Sequence, residues 1–85
     1  MNVAEFLQQK IQDYKKSHPR TSSAQLARMW GLSTSSLNRL ENQETKRPSV
    51  EQALRVLKGC GLRREISSIL PDYYPELREF EFQKP

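Results

Sequence analysis

One stretch constrains this 85-residue chain more than any other: Ser22 to Asn42, reading SSAQLARMWGLSTSSLNRLEN. Two short helical patterns meet there at Gly31-Leu32-Ser33, and each is apolar on one side only. In the first, Leu26, Ala27 and Trp30 share a helical face. In the second, Leu37 and Leu40 keep the helical spacing, while Thr34, Ser35, Asn38 and Arg39 turn to the other side. A helix whose outer surface is small, polar and lightly basic is shaped to lie against something polar and crowded. The rest of the chain reads as its support.

The flanks have the composition such a support needs. Val3, Leu7, Ile11 and Tyr14 form one stripe with Phe6 beside it, which predicts a first helix from Val3 to Lys16. Pro19 then breaks the chain, and His18 falls in the break without a nucleophile or carboxylate partner that would make it a base. Ser22-Ser23-Ala24-Gln25 is a capping-box pattern, so the second helix opens at Ser22 or Ser23. Gly31 supplies the positive φ that ends it, Leu32 plugs toward the core, and Ser33 caps a third helix over residues 34–42. After the polar, basic loop 43–48, Ser49-Val50-Glu51-Gln52 repeats the capping box. It opens a fourth helix with an inward stripe of Val50, Ala53, Leu54 and Leu57, stopped by Gly59 or Gly61. Leu62, Ile66, Ile69 and Leu70 mark a fifth helix, closed by Pro71.

Beyond Pro71, Pro75 suits the first position of a short helix, and Phe80-Glu81-Phe82 alternates like a strand. Tyr73, Tyr74, Phe80 and Phe82 either present a partner surface or fold back over the core. The expected architecture is all-α: a compact five-helix bundle with a short C-terminal extension. Residues 1–70 form the domain, and residues 71–85 form a tail available for dimer or partner contact.

Charge narrows the function. The net charge is +4, and residues 10–58 hold ten Lys and Arg against four Asp and Glu. A basic excess on the central helices is what a phosphate-facing surface requires, with a merely solvated basic face as the other reading. Cys60 is the single cysteine and His18 the single histidine, so neither an internal disulfide nor a zinc ligand set is expected. Cys60 reads as a small, buried or half-buried residue. No nucleophile–base pair, metal set or glycine-rich phosphate loop points to an enzyme, and no catalytic residue, metal or cofactor is assigned. Mean hydropathy is −0.82 and no apolar run is long enough for a membrane span. Without the pattern of a secretory leader, the expected location is the cytoplasm, at the nucleoid.

Residues 22–57 resemble the Cro/CI-type (XRE-family) helix-turn-helix of lambdoid phage repressors and many bacterial regulators. The resemblance rests on Gln25-Leu26-Ala27, Gly31, Ser33, Leu37, Leu40-Glu41-Asn42, Pro48-Ser49 and Leu54, in order and correctly spaced. It implies a lambda-repressor-like bundle in which Ala27 lies at the crossing of two helices and the third helix enters the major groove, where all four base pairs are distinguishable. It further implies that Thr34, Ser35 and Arg39 read base edges, Arg39 against guanine, and that Asn38 meets a base edge or a phosphate. Ser22 and Ser23 at the head of the second helix would hold phosphate, as would Asn42, Lys46 and Arg47 beyond the third, and Arg28 is a further phosphate candidate. Glu41 is implied to pair with Lys15 or Lys16 of the first helix. Two departures stand out: Gln43 occupies a position where the family usually has glycine, and the Ser17–Thr21 connection is long.

The expected function is therefore a sequence-specific double-stranded DNA-binding transcriptional regulator, a repressor acting as a homodimer. The alternative is an antitoxin-type autoregulator that binds its operator and, through residues 71–85, a toxin protein. The tail Leu70-Pro71-Asp72 and Pro75-Glu76-Leu77 is loosely similar to tails of antitoxins that accompany HipA-like kinases.

Overall fold

The computed structural model describes residues 2–79 as five α-helices and two 3-10 turns, with no strand among the described residues. The helices are α1 (Val3–Ser17), α2 (Ser23–Trp30), α3 (Thr34–Glu41), α4 (Val50–Gly59) and α5 (Ile66–Tyr73). A 3-10 turn at Arg63–Glu65 leads into α5, and another at Pro75–Glu79 follows it. None of these helices is long and apolar enough to cross a membrane.

Three helices open on reciprocal capping boxes. Ser22 with Gln25 and Ser49 with Gln52 do so as their spacing predicts. Asn2 with Glu5 forms a third box at α1, a cap the sequence reading passed over. Ser33 caps α3 by accepting from the Ser36 amide at 3.1 Å. Helix α3 ends at Glu41, with Asn42 as its C-cap rather than its last residue.

Three helix ends share one closure. The Leu32 amide reaches the Ala27 carbonyl and the Gly31 amide reaches Arg28, with Gly31 at φ 72°. Leu62 reaches Leu57 and Gly61 reaches Lys58, with Gly61 at φ 81°. Glu44 reaches Arg39 and Gln43 reaches Leu40, with Gln43 at φ 56°. Each is a Schellman motif, whose pivot residue is left-handed. Gly61 therefore stops α4. Gly59 has another reason to be glycine: a Cβ there would lie 2.1 Å from Nε1 of the Trp30 indole.

The core is one cluster. Leu7, Ile11, Leu26, Leu37, Leu40, Ala53, Val56 and Leu57 are buried to 1% exposure or less. Helices α1 and α2 both pack on α3 and α4, and α5 packs on α4. Ala53, Val56 and Leu57 form the buried face of α4, with Val50 and Leu54 half-buried beside it. Val56 was absent from the predicted stripe, because a helix packed by neighbours on several sides buries more than one row. Cys60 is half-buried with its thiol toward the Lys10 carbonyl, and burial pushes its pKa up to about 11.

Pro71 does not close the fifth helix. It lies inside α5, which continues to Tyr73. The proline removes the bond to the Ser67 carbonyl, but Ser67 is exposed, where water can satisfy that oxygen. Leu70 and Tyr74, four residues apart and buried to 3% and 1% exposure, hold the chain in helical register across it. Tyr74 thus enters the core, with its hydroxyl donating to the Pro48 carbonyl at 2.5 Å. Tyr73 packs beside Phe6, ring centres 5.1 Å apart. Pro75 opens a short helical turn as its position predicts, of 3-10 type. The alternation at Phe80-Glu81-Phe82 lies outside the described residues.

Candidate nucleic-acid interface

Helices α2 and α3 are joined by Gly31-Leu32-Ser33. The Schellman closure at Gly31 and the Ser33 cap leave no slack in this connection, so the two helices are set by their buried residues. Leu26, Ala27 and Trp30 anchor α2, and Leu37 and Leu40 anchor α3. Ala27 is 1% exposed, which leaves no room there for a larger side chain.

Burying Leu37 and Leu40 turns the other side of α3 outward. Thr34, Ser35, Asn38 and Arg39 are all exposed, spaced at i, i+1, i+4 and i+5 on one helical face. Ser35 lies 3.4 Å from the Ser33 hydroxyl. The three salt bridges among the described residues are Lys15–Glu41, Arg47–Glu76 and Arg55–Glu51, so Arg39 is paired with neither Glu41 nor Glu44.

The base of this unit is braced from α1. Lys15 of α1 bonds the Glu41 carboxylate at the end of α3. Its ammonium also donates to the Ser23 hydroxyl at 2.6 Å, which in turn donates to Glu41 at 3.2 Å. Lys15, rather than Lys16, is thus the partner of Glu41. A neighbouring link joins the same two helices: Gln8 donates to the Glu41 carbonyl at 2.7 Å and accepts from the Gln43 side chain. Sequence reasoning missed Gln8, which nothing local distinguishes from Gln9 and Gln12 on the same amphipathic helix.

The expected phosphate-holding residues divide. Ser22 is exposed at the head of α2, with its hydroxyl accepting from the Gln25 amide at 3.2 Å. The Ser23 hydroxyl is turned inward to Lys15 and Glu41, so this residue has its backbone N–H at the helix opening to offer an anion. Because Ser23 touches Glu41, the start of α2 and the end of α3 lie together, and Ser22 and Asn42 belong to one edge. Asn42, Lys46 and Arg28 are exposed. Arg47 is exposed too, but its guanidinium is held by Glu76 of the C-terminal turn, a partner that 29 residues of separation hid from local reading.

Elsewhere, a cavity of about 420 Å³ between α2 and α4 is lined by Met29, Trp30, Leu54, Lys58 and Gly59 among others, and by none of the outward residues of α3. Compared with protein-family models, with curated proteins and with solved structures, the chain matches none.

Proposed function

We propose that this chain is a sequence-specific double-stranded DNA-binding regulator that works as a helix-turn-helix, with α2 seated against the backbone and α3 in the major groove. The observation that carries this reading is the outward face of α3. Thr34, Ser35, Asn38 and Arg39 are exposed on a helix whose opposite side is fixed by Leu37 and Leu40. The B-DNA major groove admits such a helix, and hydroxyl, amide and guanidinium groups are the chemistry that reads base edges. The head of α2 and residues Asn42 and Lys46 supply backbone contacts.

One such helix touches too few base pairs to select a site in a genome. The working unit is therefore a two-fold homodimer reading half-sites about one helical turn, or ~34 Å, apart. Occupying such an operator blocks transcription, which makes repression the mode of action and the nucleoid the place of work. Selection of binding sites from random duplexes, combined with sedimentation of the complex, tests the reading. A two-fold motif and two chains per duplex are expected. Enrichment of no sequence above background would overturn it.

A further inference from the structure

Arg47 and the C-terminal turn are joined on two sides. The guanidinium donates from Nη2 to both carboxylate oxygens of Glu76, at 3.0 and 3.2 Å. It also lies over the Tyr74 ring, 5.3 Å from its centre. Tyr74 is buried, and its hydroxyl bonds the carbonyl of Pro48, the residue next to Arg47. The turn is thus anchored from inside at Pro48, while its outer carboxylate holds the cation of the same loop. Both charged side chains remain more than half exposed, at 60% and 55%. Such a pair exchanges readily for a competing partner.

A carboxylate and a phosphate offer a guanidinium the same kind of paired oxygens. We propose that Glu76 occupies on Arg47 the place of a DNA phosphate, so that the C-terminal turn sets the affinity of the interface. The inference rests on the DNA-binding reading above. Engaging phosphate through Nη2 of Arg47 requires Glu76 to be displaced, and the freed carboxylate then stands beside the anionic backbone. Arg47 therefore adds less to affinity, and less to salt dependence, than an unpaired arginine in the same loop. Whatever draws Glu76 away strengthens DNA binding, and by linkage DNA binding loosens Glu76.

The test uses the full chain, a labelled mixed-sequence duplex and fluorescence anisotropy across a salt series. Four proteins are compared: the wild type, Glu76→Gln, Arg47→Ala and the double variant. Glu76→Gln is expected to bind about two- to fivefold more tightly, with a log K against log salt slope steeper by ~0.9, one added phosphate contact. In the Arg47→Ala background the gain should vanish. Unchanged or weaker binding by Glu76→Gln overturns the proposal, as does an equal gain in both backgrounds, which would be long-range charge alone. Absence of duplex binding by the wild type at low salt would remove the DNA-binding reading itself, and this proposal with it. Sound wild-type binding with an inert Glu76→Gln removes only the role of Glu76.

Discussion

The ammonium of Lys15 and the carboxylate of Glu41 close a salt bridge from α1 to the end of α3, and Ser23 at the head of α2 is hydrogen-bonded to both. Three helices meet in this one cluster. The side chains of Lys15 and Glu41 are 29% and 18% exposed, so the pair is less screened than a surface pair and less desolvated than a core one. It fixes where the outward face of α3 stands relative to the head of α2.

Glu41→Gln should therefore cost stability. The neutral amide removes the counter-charge of a half-buried ammonium and weakens the bond to Ser23, a loss of about 1–2 kcal/mol. In a domain of this size that lowers Tm by roughly 5–10 °C. Thermal melts of the wild type, Glu41→Gln, Lys15→Met and the double variant measure it. The Glu41 effect should shrink once Lys15 is gone; an unshifted Tm in the single variant would rule out a bracing role.

Gln43→Gly should move stability the other way. Gln43 is the only non-glycine residue with positive φ among the described residues, at the pivot that Gly31 and Gly61 occupy in the other two Schellman motifs. Left-handed backbone costs an L-residue about 1–2 kcal/mol. Its compensation is the exposed hydrogen bond to Gln8, worth about 0.5 kcal/mol in competition with water, the low end for a hydrogen bond. The strain is the larger effect, so a gain of about 0.5–1 kcal/mol is expected, read from the denaturant midpoint. A loss would mean that the Gln8 link outweighs the strain.

What could be read ahead of the structure follows how local each cause is. The boxes at Ser22 and Ser49 and the turn at Gly31 depend on groups within a few residues, and the sequence contains them whole. The face of α3 was legible because Leu37 and Leu40 leave only one side to bury. Pro71 misled because its helix-breaking tendency is local, whereas the burial of Leu70 and Tyr74 that overrides it is tertiary. The inward turn of Ser23 and the capture of Arg47 by Glu76 were hidden for the same reason. Each depends on a charge many residues away, and an isolated hydroxyl or guanidinium carries no sign of it.

Tyr74 should set an alkaline limit to stability. Burial raises its phenol above the ordinary value, with Arg47 pulling it down and Glu76 pushing it up by smaller amounts. A folded pKa above the unfolded one means that the neutral phenol is favoured in the native state. Its contribution is full below the unfolded value of about 10 and is lost as pH rises through the folded value. Tyr74→Phe should lower stability by about 1 kcal/mol near neutrality, through the lost bond to Pro48, yet decline less steeply above pH ~10. Urea midpoints of both proteins between about pH 8 and 11 test this. Parallel curves would show that Tyr74 has no part in the alkaline loss.

Under the proposed DNA-binding reading, variants of Arg39 and Lys46 should separate base reading from backbone holding. The guanidinium of Arg39 is exposed on the outward face of α3, and a bidentate contact to guanine is worth about 1–3 kcal/mol of discrimination. Arg39→Ala should thus weaken the selected site by roughly tenfold to a hundredfold. It should relax preference at one base pair while leaving binding to random duplex nearly unchanged. Lys46→Ala should instead weaken both duplexes alike and reduce the salt slope by about 1. Competition titrations of the selected and random duplexes at several salt concentrations distinguish the two. If Arg39→Ala weakened both duplexes equally, Arg39 would be a phosphate contact, and base reading would fall to Thr34, Ser35 and Asn38.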